Sequence, residues 1–247
     1  MVSLHSVESP GLGPHEVHVW LAHTGDADSH TTKSASVTRS EALARRKREQ
    51  TMSDALLRHT LSRYCTVHYR DWRFNYNDYG RPEIAPGITP LPLRFNVSHT
   101  AGLIACGVTL SRDIGIDVES LDISDGGQHI ASRFFAPQEI QEIASQPPSG
   151  RRDLFLSYWT LKEAYLKAVG CGLSVPLDKV QFRLDTTQVE ADFDAGLAEQ
   201  PSAWQFAHHR PTARHHLAVA VRRGHGVALR VDRAWVALDQ VRLACCL

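Results

Sequence analysis

The stretch Ile114-Gly-Ile-Asp-Val-Glu119 narrows the possible folds more than any other part of the chain. It alternates strictly, so as a strand it places Ile114, Ile116 and Val118 on one face and Gly115, Asp117 and Glu119 on the other. Carboxylates two positions apart on a strand leave the same face, with Cα atoms roughly 6.5–7 Å apart, twice the rise per residue. One side of this strand must be buried, and the other repels itself unless water or a cation lies between the acids. A solvated strand face is the plainer reading of the pair, and a shared hard cation the sharper one.

Leu154, Tyr158, Leu161 and Tyr165 recur at helical spacing, which predicts an amphipathic helix from Leu154 to Val169, closed by Gly170. Trp159, Glu163 and Lys167 stand at i, i+4 and i+8 and form a neighbouring stripe. Asp117, Glu119 and Glu163 together are an all-oxygen set without His or Cys nearby in sequence, which suits magnesium rather than zinc. The competing reading of Glu163 and Lys167 is an exposed pair worth a few tenths of a kcal/mol.

Elsewhere, strands are expected at Val17–Ala22, Trp72–Tyr76, Leu93–Val97, Leu103–Leu110, Val180–Leu184, His216–Val221, Val227–Val231 and Ala234–Leu238. Residues 23–36 are polar and read as loop. Thr38-Arg-Ser-Glu41 fits a capping box for a helix reaching about Tyr64, Asn77–Glu83 is a turn cluster, and Pro137 opens a short helix. Strand and helix groups on both sides of residue 112 indicate an α+β fold in two similar halves, 1–112 and 113–247, with residues 1–36 partly loop.

The formal charge is zero, 27 basic residues against 27 acidic, which argues against wholesale binding to nucleic acid or anionic membrane. Its distribution is uneven. Residues 39–63 carry seven basic and three acidic side chains, net +4; residues 113–142 carry seven acidic and one basic, net −6. The first half can offer cations to phosphates and the second can hold a cation. Arg45-Arg-Lys-Arg48 could clamp a phosphate, although such runs more often form solvated helix faces. Asn96-Val-Ser-His-Thr100 combines a hydroxyl, an imidazole and strand-end N–H groups, as a phosphate site or a plain strand-end turn would.

Five cysteines without paired spacing suggest reduced thiols. The first twenty residues have no cationic head followed by an apolar block, and the longest apolar stretch falls short of the roughly 20 residues a membrane helix needs. A cytoplasmic protein is expected.

In order and wording the motifs resemble those of the 4′-phosphopantetheinyl transferases of the large, pseudo-dimeric, surfactin-synthetase-activating type. The residues that carry the resemblance are Tyr79-Gly-Arg-Pro82, Phe95-Asn-Val-Ser-His-Thr100, Ile114–Glu119, Arg133-Phe-Phe-Ala-Pro137, Tyr158-Trp-Thr-Leu-Lys-Glu-Ala-Tyr-Leu-Lys167 and Gly172-Leu-Ser-Val-Pro-Leu177. The resemblance implies a pseudo-twofold fold of two α+β halves with small antiparallel sheets and coenzyme A between them. It implies transfer of the 4′-phosphopantetheine arm of coenzyme A onto a serine of an acyl or peptidyl carrier protein, releasing adenosine 3′,5′-bisphosphate. Carried over by position, Asp117, Glu119 and Glu163 would hold magnesium, with Glu163 also a candidate base. Lys162 and Lys167 would be catalytic or phosphate-contacting, Lys167 at the pyrophosphate. Ser98 and His99 would meet the nucleotide phosphates, and Gly80, Arg81 and Pro82 the adenine. Glu49 stands where the family usually has an arginine, so Arg48 is the substitute expected at the 3′-phosphate. A monomer with an internal pseudo-dimer is expected. The alternatives are a non-catalytic coenzyme A or carrier-protein binder and a magnesium-dependent nucleotide phosphoesterase.

Overall fold

The computed structural model of the protein describes residues 11–25, 39–122, 127–185, 188–197, 199–223 and 227–237. The expected loop at 23–36, Thr38, Leu238, Cys245 and Cys246 lie wholly or mainly outside them.

Each half repeats one sequence of elements. The first runs strand β1 (Glu16–His23), helix α1 (Arg39–Leu61), a minor hairpin β2 (Phe74–Tyr76) and β3 (Pro82–Ile84), then a long hairpin β4 (Leu93–Thr100) and β5 (Leu103–Leu110). The second runs β6 (Ile114–Ser120), the short helices α2 (Gly127–Phe134) and α3 (Pro137–Ser145), the long helix α4 (Pro148–Val169), a minor hairpin β7 (Val180–Leu184) and β8 (Val189–Phe193), then the long hairpin β9 (Trp204–Thr212) and β10 (His215–Arg222). In both main sheets the opening strand pairs antiparallel with the last strand of the long hairpin, giving the orders β1-β5-β4 and β6-β10-β9. A final strand, β11 (Arg230–Trp235), returns to the first sheet and lies parallel to β1. The expected boundary at 112/113 assigns this strand to the second half, but its hydrogen bonds are with the first.

Alternation explains the layering. On β1, Trp20 and Ala22 face α1 with Leu56, Leu57 and Leu61, while Val17, Val19 and Leu21 face the other sheet. On β6, Ile114, Ile116 and Val118 meet that inner face, leaving Gly115, Asp117 and Glu119 toward α4. The order is therefore helix, sheet, sheet, helix, with the α4 core built on Tyr158, Leu161, Ala164 and Tyr165. Gly115 permits the closest approach: a Cβ there would stand 1.9 Å from the Ala164 carbonyl oxygen, so α4 lies with its backbone against the strand. Gly170 ends α4 in the left-handed conformation at φ 73°, as a C-terminal glycine should.

Some local expectations change. Trp72 is fully buried and donates through Nε1 to Ser62 Oγ at 2.8 Å, so the strand begins only at Phe74. The two strands expected near the end are one, Arg230–Trp235. Among the described residues no helix is long and apolar enough to cross a membrane.

Candidate functional site

The site lies where the edges of the two main sheets meet. β4 and β6 run side by side there, but side chains bridge them instead of a backbone ladder. The Ile116 N–H donates to Asn96 Oδ1 at 2.8 Å, and the Val118 N–H to Ser98 Oγ at 3.3 Å. The period-2 placement of Asn96 and Ser98 on β4 thus satisfies the exposed edge of β6. It also leaves a polar seam beside Asp117.

Asp117 is 4% exposed, so its acidic face is not a solvated one. Its Oδ1 accepts from Lys167 Nζ at 2.6 Å and from Ser98 Oγ at 3.0 Å, while Lys167 Nζ also reaches Ser98 Oγ at 2.9 Å. Its Oδ2 is buried with no hydrogen-bond partner. Glu119, one strand step on, accepts from Trp159 Nε1 at 3.2 Å. The stripe Trp159, Glu163, Lys167 therefore faces the acidic side of β6, because α4 lies directly over Gly115.

The electrostatics are those of acids lacking enough counter-charge. Burial pushes the Asp117 carboxyl up, against the opposing pull of Lys167. Glu119 is pushed up to about 8 by burial and then by Asp117. Glu163 is pushed up to about 7 by burial and by Asp117, with Lys167 opposing. Among the described residues no group of three or more His, Cys, Asp or Glu side chains is gathered as a metal site. The donor set is all oxygen, and the orphaned Asp117 Oδ2 offers a buried lone pair, so the residues fit a hard cation such as magnesium.

Beside this cluster opens a cleft of about 390 Å³. Its floor is Asn96, Glu163 and Lys167, and its far wall is the turn Tyr79-Gly-Arg-Pro82 of the first half. His99 is half-buried; burial lowers its imidazole pKa, Glu49 opposes, and Lys167 and Arg46 add to the lowering. Arg46 is thus the member of the basic run whose charge His99 feels, whereas the expected Arg48 is simply exposed on α1.

One expectation needs correction. Lys162 does not join the cluster: it is fully buried in the second half, 2.8 Å from Glu139 Oε2, with Nζ also donating to the carbonyls of Leu177 and Val180 at 2.9 and 2.6 Å. Neighbouring helix positions point about 100° apart, so Lys162 and Glu163 serve different faces of α4. Arg81 belongs to the cleft wall, with its guanidinium turned to the second half. It donates to the Ala168 carbonyl at 2.7 Å and to Asp113 Oδ1 at 3.0 Å, capping the C-terminal end of α4. Asp113 also receives Arg94 at 2.8 Å. Asn96, Asp113 and Glu139 were not anticipated as supports; Asn96 and Glu139 are buried, and a buried amide or acid must find partners, which is the signal that marks those two.

A buried acid cluster with one ammonium, opening on a cleft between two halves of like topology, is the layout of a two-lobed enzyme. The sequence profile of the 4′-phosphopantetheinyl transferase superfamily matches residues 113–221. The chain is 33% identical over 181 residues to the 4′-phosphopantetheinyl transferase HetI of Nostoc sp., covering 70% of this chain and 76% of that protein. It is 34% identical over 134 residues to the 4′-phosphopantetheinyl transferase Sfp of Bacillus subtilis, covering 54% and 57%. Among solved structures, a Bacillus anthracis holo-(acyl-carrier-protein) synthase in complex with coenzyme A (3′,5′-ADP) is similar at 20% identity and a TM-score of 0.38, over 44% of this chain and 94% of that one. This chain belongs to the 4′-phosphopantetheinyl transferase superfamily. It spans about three quarters of HetI and just over half of Sfp.

Proposed function

We propose that this protein moves the 4′-phosphopantetheine arm of coenzyme A onto a serine of an acyl or peptidyl carrier protein, with magnesium held by Asp117, Glu119 and Glu163. The observation that carries this reading is that Glu163 and Lys167 line a cleft whose opposite wall is the 79–82 turn, with Asp117 bonded to Lys167 and its charge acting on both Glu119 and Glu163. When bound, the cation supplies charge neutralisation at a pyrophosphate.

The protein's own residues then do the following. The cleft positions the coenzyme with its nucleotide end against Gly80 and Pro82 and its pyrophosphate toward Lys167. Ser98 and His99 stand on the phosphate side, with Arg46 near His99. The carrier serine oxygen bonds to the phosphorus that bears the pantetheine arm. The bond from that phosphorus to the bridging oxygen breaks, and adenosine 3′,5′-bisphosphate leaves with the electron pair. Glu163 takes the serine proton, and the Lys167 ammonium meets the charge that grows on the phosphoryl oxygens. Lys162 has no part in these steps.

Two further readings belong here. The halves 1–112 and 113–247, with β11 crossing back to the first sheet, work as one cytoplasmic monomer. Carriers of this kind are typically acidic, and basic residues near the cleft mouth, Arg46 among them, would steer them.

The test is the intact mass of a purified apo carrier protein incubated with this protein, coenzyme A and magnesium, beside an Asp117→Asn control. A gain of one phosphopantetheine group that requires magnesium and disappears in the control supports the transfer. No gain across several carrier classes while coenzyme A still binds favours a binder without catalysis. Coenzyme A consumed without carrier modification favours a phosphoesterase.

A further inference from the structure

We infer that Asn77 is a positioning residue that latches the coenzyme-facing turn of the first half to the end of the catalytic helix of the second. This inference rests on the proposed function above. Its carboxamide uses both ends. Oδ1 accepts the Tyr79 N–H at 3.0 Å and the Arg81 N–H at 2.9 Å, while Nδ2 donates to the Gly170 carbonyl at 2.8 Å. The Asn77 backbone closes the same turn: its N–H donates to the Arg81 carbonyl at 3.0 Å and its carbonyl accepts the Gly80 N–H at 2.9 Å. One residue therefore shapes the turn and anchors it across the gap between halves.

The anchor point matters because Gly170 caps the helix that carries Glu163 and Lys167. The last carbonyls of a helix lack intrahelical partners. Here Asn77 takes that of Gly170 and Arg81 that of Ala168, so two of these acceptors are filled from the opposite half. The spacing between the turn and Lys167, two walls of the cleft, is set by these bonds. An asparagine is needed for this, since an acceptor must face the turn N–H groups and a donor must face the carbonyl.

Asn77→Asp separates the two tasks. The carboxylate keeps the acceptor that shapes the turn, loses the donor, and sets negative charge against the Gly170 carbonyl. Asn77→Ser keeps a short acceptor and cannot span to Gly170. The catalytic groups are untouched in both. Loss of this bond is expected to raise the KM for coenzyme A and the Kd for adenosine 3′,5′-bisphosphate about tenfold, the size of one lost or repelled hydrogen bond. The kcat and the KM for the carrier are expected to change less than about threefold, within the scatter of a contact the reaction does not use.

The experiment is calorimetric titration of wild-type, Asn77→Asp and Asn77→Ser proteins with adenosine 3′,5′-bisphosphate, followed by steady-state transfer with coenzyme A and carrier varied separately. Weakened nucleotide binding in both variants, with kcat and the carrier KM held, supports the latch. Wild-type affinity in both variants overturns it and leaves the proposed function standing. A fall in kcat together with the melting temperature, at unchanged KM, also overturns it, because a merely structural residue lowers the folded fraction rather than the affinity. A wild-type protein that binds no nucleotide removes the proposed function and this inference with it.

Discussion

The two halves use one plan for opposite purposes. In the first, the helix-facing side of the opening strand carries Trp20 and Ala22, packed on Leu56, Leu57 and Leu61. In the second, the equivalent side of β6 carries Gly115, Asp117 and Glu119 under a helix that contributes Glu163 and Lys167. Where the first half fills the helix–strand interface with apolar bulk, the second spends part of it on buried charge. The first half is not idle: β4 lends Asn96 and Ser98 to the β6 edge, and the 79–82 turn lends a wall. Copies of a single topology thus differ in what they place between helix and opening strand, apolar bulk in one and buried charge in the other.

Substitutions at matched places should expose that division. The largest effect is expected from Asp117→Asn, with carrier-modification rate falling about a hundredfold to a thousandfold, the scale of losing one preorganised electrostatic group. Because burial raises the Asp117 pKa in the folded state, its ionised form weakens the fold at neutral pH. The neutral isostere should therefore melt no lower than wild type, and a clear drop in melting temperature would break the comparison. Trp20→Ala, at the matching place of the first half, should do the reverse. It is expected to cost about 3–5 kcal/mol in denaturant unfolding while the turnover of the molecules that remain folded is unchanged.

Lys162→Ala sharpens the boundary within one helix. It strands the Glu139 carboxylate in the core and should cost about 3–5 kcal/mol in the same assay, without the rate loss expected one residue on at Glu163. Lys162→Met combined with Glu139→Gln should recover most of that stability.

The smallest effect concerns pH. Burial holds His208, His209 and His216 at about 4, below the ordinary histidine value of 6.5. An unfolded chain then takes up protons that the folded chain refuses, so these imidazoles should lower stability as pH drops from about 6.5 toward 4. The raised Glu119 and Glu163 work the other way and lower it as pH rises toward 8. Denaturant midpoints across that range check this. Replacing Trp20 should leave the slope as it is, since these imidazoles all lie in the second half.

Much of this arrangement was legible in the residues. The alternation of Ile114–Glu119 predicts both faces of β6, and the 3.6-residue rhythm predicts α4 with its cap at Gly170. The spacing of Trp159, Glu163 and Lys167 predicts their common direction. Lys162 was misplaced because a motif is read as a string, while a helix turns each successive side chain to a new side. The partners of Arg81 were hidden for another reason: the acceptors it satisfies, the Ala168 carbonyl and Asp113, lie far along the chain. The same long separation hides Asn77 and Gly170 from each other. β9 was missed because His208, His209 and Arg210 break its apolar alternation, and only the β10 ladder shows it to be a strand.

The return of β11 to the side of β1 has a consequence for how the chain is made. Residues 16–23 leave the ribosome early, but their parallel neighbour at 230–235 is among the last segments described. During synthesis β1 can pair with β5, yet its other edge stays open until residues 230–235 have emerged. An open strand edge invites pairing with other chains, and a contact of such long separation closes slowly. The first half is thus begun first and finished last, and the second half folds inside that interval.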